Sequence, residues 1–136
     1  MKINLSVPYF FGDEIKNLKK SVKKKWISSS GSASLDFEKK VKKYINANYA
    51  LGLINCTSAL QLSIKLLNPK INDEIIVPSI TFVASVNAII YNNCKPIFLD
   101  CDENLLLDTE KTLDFLNTQT FQHKGCCYNK KTKRKI

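Results

Sequence analysis

One stretch, residues 50–60, constrains the fold of this chain more than any other. An apolar run ends at Ile54, small polar residues follow at once, and apolar residues then recur at helical spacing from Ala59. A strand that turns directly into a helix leaves the first N–H groups of that helix unpaired, at the positive end of its dipole. Such a corner can bind phosphate, and the hydroxyls of Thr57 and Ser58 add donors. The alternative is that Thr57 only caps the helix.

The segments from this corner onward alternate between strand patterns and helix patterns. Apolar or β-branched blocks predict strands, and apolar residues at helical spacing predict helices. The predicted strands are 49–54, 74–78, 95–100 and a short piece at 105–108, and the predicted helices are 57–67, 81–91, capped by Thr81, and one that begins at Thr109. Such alternation is typical of an α/β fold with a parallel sheet, in which ligands bind beyond the carboxyl ends of the strands. It therefore predicts one crevice lined by residues 55–58, 78–82 and 100–102.

The segment before the corner predicts two amphipathic helices joined by a polar loop. The first helix opens at Asp13 and ends near Trp26, and Ser34 is placed to cap the second. The loop between them, residues 26–32, is rich in serine. Its hydroxyls and free backbone N–H groups can hold phosphate or sugar oxygens. A plain linker is the alternative, and the residues alone leave both open.

The net charge of +9 raises the question of a nucleic-acid partner. The distribution of the charge argues against one. Eleven of the 21 basic residues lie between Lys2 and Lys43, where lysines form the solvated face of amphipathic helices, and six lie between Lys124 and Lys135. Aromatic residues do not alternate with them as a single-strand-binding surface requires. The last charged run, 129–135, is predicted to be a solvated hairpin or tail.

The five cysteines do not predict a metal site. Their number is odd, no CxxC pair exists, and a zinc site built from Cys126, Cys127 and His123 lacks a fourth ligand. Reduced thiols are typical of a cytosolic protein. No run reaches the roughly 20 apolar residues of a membrane span, and the N-terminus lacks a signal-peptide pattern. These features predict a cytoplasmic protein without a membrane partner.

Four motifs occur in one order along the chain. They are Trp-Ile-Ser-Ser-Ser-Gly at 26–31, Asn-Cys-Thr-Ser-Ala-Leu at 55–60, Val-Pro-Ser-Ile-Thr-Phe-Val-Ala-Ser-Val-Asn-Ala-Ile at 77–89 and Pro-Ile-Phe-Leu-Asp-Cys-Asp at 96–102. With these motifs the chain resembles the N-terminal part of the sugar-nucleotide aminotransferases of the DegT/DnrJ/EryC1/StrS family. The resemblance implies pyridoxal 5'-phosphate (PLP) as cofactor and a homodimer. It also implies part of the fold-type-I, aspartate aminotransferase-like large domain, with a mainly parallel sheet and flanking helices.

The resemblance also implies roles for individual residues. Thr57 and Ser58 correspond to the residues that hold the cofactor phosphate, and Phe82 corresponds to the aromatic residue that stacks on the pyridine ring. Core packing is the alternative for Phe82. Three residues of the polar loop are implied to lie near the nucleotide-sugar: Trp26, Ser28 and Ser30.

The chain departs from the family pattern in two respects. Cys56 stands where the family commonly has glycine, and a cysteine there is strained if the position needs positive φ. The lysine that forms the Schiff base with the cofactor is expected beyond Ile136, so no catalytic residue is assigned within the chain. Asp100 and Asp102 match a family signature and are interpreted as structural residues at a strand end.

These observations predict an N-terminal fragment with three parts. Residues 1–33 form an N-terminal helix and substrate-side loop, 34–117 a partial PLP-binding α/β domain, and 118–136 a basic hairpin or tail. The parent enzyme would transfer an amino group from glutamate to a nucleotide-linked 4-keto sugar, for surface glycan or amino-sugar biosynthesis. The 136 residues alone are not expected to catalyse this reaction. The alternative is a small phosphate- or nucleotide-binding α/β module without transaminase activity.

Overall fold

The computed structural model describes residues 3–4, 6–26, 28 and 31–136. These residues form two compact units, Met1–Gly52 and Leu53–Ile136, which we call the N-terminal and C-terminal units. The N-terminal unit contains helices α1 (Glu14–Lys23) and α2 (Ser32–Tyr44). The C-terminal unit contains, in chain order, α3 (Cys56–Leu66), β1 (Glu74–Pro78), α4 (Val83–Tyr91), β2 (Lys95–Leu99), α5 (Thr109–Gln119), β3 (Thr120–His123) and β4 (Cys126–Asn129).

The second helix of the N-terminal unit begins earlier than its sequence predicts. Gly31, not Ser34, is the N-cap of α2, and its carbonyl accepts hydrogen bonds from the N–H groups of Ser34 and Leu35. Gly31 is buried beside Trp26, and a Cβ at this position would lie 2.6 Å from Cδ1 of the indole. The helix therefore starts where only glycine leaves room for the Trp26 ring.

The strand predicted at 49–54 was wrong. Residues 49–53 have no regular secondary structure and, within the described residues, no ladder partner. The Gly52 N–H donates instead to Oε1 of Glu38 (2.9 Å), and Ile54 is 90% exposed. A strand forms only when a neighbouring strand supplies backbone partners, and an apolar pattern cannot supply that neighbour.

The parallel sheet lies in the C-terminal unit, where the sequence predicts it. β1 pairs with β2 in a parallel register that runs from Glu74 opposite Lys95 to Pro78 opposite Leu99, and α4 makes the crossover. The buried core residues come from β1, α4 and the turn before β2: Val77, Ala88, Ile89 and Cys94. Partly buried side chains from α3, β1 and α4 pack against this core: Ile64, Ile75 and Val86. The chain thus has the α/β architecture that its strand and helix patterns indicate.

Asparagine residues terminate three of the helices. Asn46, Asn68 and Asn93 follow α2, α3 and α4 and have φ values of 51°, 51° and 58°. This left-handed conformation ends a helix, and asparagine tolerates it better than most residues do. The helix ends predicted at 67 and 91, next to Asn68 and Asn93, are confirmed. The short piece predicted at 105–108 contributes only one isolated bridge, from Leu107 to Cys101.

The C-terminal segment forms a hairpin, but its charged run is not simply solvated as predicted. β3 and β4 pair in an antiparallel register, and the chain then folds back so that the Glu74 N–H donates to the Lys135 carbonyl (2.7 Å). The Glu74 side chain is 4% exposed. It accepts a hydrogen bond from Nδ2 of Asn129 (2.9 Å) and lies 3.8 Å from a guanidinium nitrogen of Arg134. A buried carboxylate needs such partners, and they fix the end of the chain to β1.

Candidate functional site

The corner before α3 has a different cap from the one considered above. Asn55, not Thr57, is the N-cap of α3, and its Oδ1 accepts a hydrogen bond from the Ser58 N–H (2.8 Å). Thr57 lies inside the first turn. The Ala59 N–H donates to the Asn55 carbonyl (3.2 Å). Asn55 therefore accounts for two of the N–H groups at this helix end.

The remaining donors of the corner are available to a ligand. The N–H groups of Cys56 and Thr57 have no acceptor among the described residues, and the same holds for the hydroxyls of Thr57 and Ser58. Thr57 thus offers both its N–H and its hydroxyl, whereas Ser58 offers the hydroxyl alone. The N-terminal end of the helix dipole adds a partial positive charge at the same place.

The strain considered for Cys56 is absent. Cys56 is the first residue of α3 and does not belong to the described residues with positive φ. Its side chain is exposed, and the thiol is free. A cysteine therefore fits this backbone without a conformational cost.

Phe82 marks the start of the neighbouring helix. It is the N-cap of α4 with an extended backbone (φ −67°, ψ 136°), and its side chain is 80% exposed. Thr81 was the predicted cap; its hydroxyl donates instead to Oγ of Ser85 (3.2 Å). Core packing does not account for Phe82, because its ring lies outside the core.

Helices α3 and α4 begin on the same side of the sheet. α4 connects two parallel strands, so it runs opposite to them and begins at their carboxyl ends. Asn92, directly after α4, donates through Nδ2 to the Gln61 carbonyl in α3 (3.0 Å), and the segments that follow the two helices, with Asn68 and Asn93, line one surface depression. α3 packs against α4, and the Asn72 N–H donates to the Asn93 carbonyl (2.8 Å) between the turns that lead from the two helices to the starts of β1 and β2. The two helices therefore run in the same direction. Thr57 and Phe82 therefore both lie on the side at which β1 and β2 end.

The two aspartates that follow β2 are held by local contacts. Asp100 pairs with the Lys111 ammonium group and accepts a hydrogen bond from the Cys101 N–H (2.9 Å). The Lys111 hydrogen bond, with that of the Cys101 N–H, lowers the pKa of Asp100, and Asp100 in turn raises the pKa of Lys111. Oδ1 of Asp102 accepts from the N–H groups of Asn104 and Leu106 (2.9 Å each). Both carboxylates thus stabilise the turn after β2, in agreement with the structural role predicted for them.

The residues implied on the substrate side lie in the N-terminal unit. Trp26 borders Gly31, and the Ser28 carbonyl accepts a hydrogen bond from the Gly31 N–H (3.1 Å). Both side chains are exposed. Ser30 lies outside the described residues. Trp26 and Ser28 thus belong to one unit, and Thr57, Ser58 and Phe82 belong to the other.

The cysteines and histidine considered for zinc lie on the hairpin. His123 pairs with Cys126 in the β3–β4 register, and Sγ of Cys127 lies 3.2 Å from Oγ1 of Thr120. Among the described residues, no cluster of three or more side chains is arranged to hold a metal ion. Within that same part of the chain, every helix is too short or too polar to cross a membrane.

Comparison with known proteins decides the family. Residues 10–123 match the sequence model of the DegT/DnrJ/EryC1/StrS aminotransferase family. The chain belongs to this family. It is 39% identical over 95 residues to the GDP-perosamine synthase of Escherichia coli O157:H7 and 31% identical over 120 residues to that of Caulobacter vibrioides. These alignments cover 70% and 88% of this chain but only 26% and 32% of the two relatives, so the chain spans less than a third of either length.

Two solved structures of one similar protein share the fold. The Spr1654 protein of Streptococcus pneumoniae, in its PMP-form (with pyridoxamine phosphate), superposes on this chain with a TM-score of 0.75 at 24% identity. The superposition covers 84% of this chain and 29% of the Spr1654 chain. Its PLP-form gives a TM-score of 0.69 at 26% identity, covering 75% of this chain and 26% of that one. The α/β fold expected from the family resemblance is therefore confirmed.

One residue at the corner could have been identified from the sequence but was missed. Asn55 stands immediately before the helical pattern, which is the usual position of a capping residue. Thr57 and Ser58 are also good capping residues, and their presence two and three positions later obscured this signal. Lys111, the partner of Asp100, left no local signal, because the two residues are 11 positions apart and lie on different elements.

Proposed function

We propose that this sequence belongs to a PLP-dependent aminotransferase that transfers an amino group from glutamate to a 4-keto sugar carried by a nucleotide. A homodimer and a role in surface glycan or amino-sugar biosynthesis complete the proposal. Membership of the family and the names of its perosamine-synthase relatives support a sugar substrate. The observation that carries the proposal is the start of α3, where unpaired donors converge beyond the end of a parallel sheet.

The donors at this corner fit the phosphate group of PLP. Phosphate oxygens accept hydrogen bonds only, and the corner offers the N–H groups of Cys56 and Thr57 with the hydroxyls of Thr57 and Ser58. No carboxylate belongs to the first turn of α3, so no like charge opposes an anion there. We assign Thr57 and Ser58 to the phosphate on these grounds.

Phe82 is assigned to the ring of the cofactor. An exposed aromatic ring at the start of α4, on the same side of the sheet as Thr57, offers a flat apolar face to a pyridine ring. When bound, PLP supplies the electron-accepting ring that the amino-group transfer requires. The residues of this chain bind and orient it, and we assign none of its lysines to proton transfer. Trp26, Ser28 and Ser30 are proposed to contact the nucleotide-sugar.

Binding of pyridoxamine 5'-phosphate (PMP) tests the assignment. PMP is preferable to PLP as a probe because the aldehyde of PLP reacts with surface lysines, which are abundant here. Hydrogen bonds to charged groups contribute about 1.5–3 kcal/mol, so Thr57→Ala should weaken PMP binding at least tenfold in a calorimetric titration. Thr118→Ala is the matched control, since that hydroxyl donates to the Asp114 carbonyl at the end of α5.

Phe82 separates the two candidate functions. Phe82→Leu should weaken PMP binding but leave the binding of inorganic phosphate unchanged, because only PMP carries a ring. If PMP and phosphate bind equally well and Phe82→Leu affects neither, the corner is a simple phosphate site and the small-module alternative is favoured. Equal effects of Thr57→Ala and Thr118→Ala would contradict the assignment of Thr57.

A further inference from the structure

The starts of α3 and α5 share one hydrogen-bond geometry but differ in charge. Oδ1 of Asn55 accepts from the Ser58 N–H (2.8 Å), and Oδ1 of Asp108 accepts from the Lys111 N–H (3.0 Å), in each case three residues further along the chain. Both capping residues have an extended backbone. Asparagine and aspartate cap helices about equally well, so the capping role alone does not explain which of them stands at either position.

The charged groups around the two caps also differ. The carboxylate of Asp108 lies 3.7 Å from the Lys111 ammonium group, so its charge is partly compensated within the chain. A further acid, Glu110, belongs to the first turn of α5. The first turn of α3 contains no acid, and residues 53–60 include no charged side chain at all. The local charge at the start of α3 is therefore the partial positive charge of the helix dipole.

The side-chain amide of Asn55 carries a second hydrogen-bonding atom. Because Oδ1 is bonded to the Ser58 N–H, Nδ2 is held at the same helix end, and it has no acceptor among the described residues. An aspartate at this position would replace that donor by a negatively charged acceptor. A phosphate oxygen can accept a hydrogen bond from Nδ2, whereas a carboxylate repels it. The choice between the two residues thus affects anion binding much more than helix capping.

We propose that Asn55 determines the anion specificity of the corner. Its neutral amide caps α3 without adding negative charge, and Nδ2 donates to the bound anion beside the N–H groups of Cys56 and Thr57. The anion is the phosphate group of PLP under the proposed function, on which this inference rests. Asn55 therefore has two separable roles, since α3 requires an acceptor at this position and the phosphate requires an uncharged one.

Two substitutions of Asn55 separate these roles in the 136-residue chain. Asn55→Asp keeps the capping acceptor, so the midpoint of urea unfolding should stay near that of the unaltered chain. In calorimetric titrations at pH 8 and low salt, where the phosphate group is a dianion, it should weaken PMP and inorganic phosphate about tenfold. Asn55→Ala loses the cap, so its midpoint should fall, but the freed Ser58 N–H replaces Nδ2 as a donor and both ligands should weaken about threefold or less. Asn117→Asp is the matched control, because it adds the same charge at an exposed position of α5 and should change neither quantity.

The two variants should thus rank in opposite order for stability and for binding, which a purely structural role of Asn55 would not produce. Weaker binding by Asn55→Ala than by Asn55→Asp, or equal effects of Asn55→Asp and Asn117→Asp, would overturn the specificity role. Thr57→Ala separates this result from a failure of the proposed function. If Thr57→Ala weakens PMP and Asn55→Asp does not, the phosphate binds at the corner without selection by Asn55. If Asn55→Asp weakens PMP and Thr57→Ala does not, Asn55 selects the anion but the assignment of Thr57 fails. If neither PMP nor phosphate binds the unaltered chain, both fail. Helix content from circular dichroism verifies that each variant is folded.

Discussion

Replacing Asn129 by alanine should destabilise the C-terminal unit more than its position on a terminal hairpin suggests. Nδ2 of Asn129 is the hydrogen-bond donor to the buried carboxylate of Glu74, at 2.9 Å. The other partner of that carboxylate, Arg134, lies 3.8 Å away and is 42% exposed, so water competes for it. Asn129→Ala would leave a carboxylate that is 4% exposed with only this weak partner.

The expected cost follows from the three hydrogen bonds of the Asn129 side chain. A bond to a charged acceptor contributes about 1.5–3 kcal/mol. The bonds that Oδ1 accepts from the N–H groups of Lys131 (2.9 Å) and Thr132 (3.4 Å) contribute little, since both residues are exposed and water can replace the acceptor. We expect Asn129→Ala to lower the free energy of unfolding by about 2–3 kcal/mol. Glu74→Gln, which keeps a side-chain acceptor for Asn129, should cost about 1 kcal/mol or less.

Urea unfolding followed by circular dichroism measures these differences. Asn117→Ala on the exposed face of α5 is the control and should change stability by less than about 0.5 kcal/mol. In the double variant Glu74→Ala, Asn129→Ala the costs should not add, because removing both partners leaves no unpaired buried charge. A cost for Asn129→Ala no larger than that of the control, or additive costs in the double variant, would show that Asn129 does not compensate the buried carboxylate of Glu74. Amide exchange at Glu74 and Ile136 gives a second readout, since both N–H groups bond to this part of the fold.

Two further predictions concern the residues around the corner. Asn55→Ala should lower the free energy of unfolding by about 1 kcal/mol and Asn55→Asp by much less, because aspartate also accepts from the Ser58 N–H; equal losses in a urea titration would contradict the capping role. The contact with Lys111 lowers the pKa of Asp100 in the folded chain. The ion pair therefore stabilises the fold at pH values above the unfolded-state pKa of about 3.9. This stabilisation is lost as the pH falls through the lower pKa of the folded chain. Lys111→Gln should therefore raise the pKa of Asp100 toward its ordinary value in an NMR titration, and an unchanged pKa would contradict the assignment.

The parallel sheet was predictable because its signal is local. Glu74–Pro78 and Lys95–Leu99 are short apolar blocks bounded by turn residues, and a helix of suitable length joins them. The direction of a crossover helix then places residues 79–82 and 100–102 at the carboxyl ends of the strands without further information. The position of Phe82 on this side of the sheet followed from these two blocks, whereas that of Thr57 did not, because it depends on the packing of α3 against α4.

The remaining features depend on contacts between distant residues. Residues 49–54 have the composition of a strand, but a strand forms only beside a second strand that pairs with its backbone. The local sequence pattern does not show whether such a partner is present. The bond from Asn129 to Glu74 joins residues 55 positions apart, and neither residue carries a local sign of the other. At the corner three candidate capping residues occur within four positions, and only the backbone conformation identifies Asn55 as the cap.

Mapping of PMP onto the backbone amides shows whether the start of α3 binds the cofactor phosphate. In a 15N-labelled sample of the 136-residue chain, we expect the amide signals of Cys56 and Thr57 to shift most on addition of PMP, because these N–H groups lack partners among the described residues. The Ser58 amide, which already donates to Asn55, should shift less. Shifts confined to other parts of the chain, or no shift at saturating PMP, would contradict a cofactor phosphate site at the start of α3.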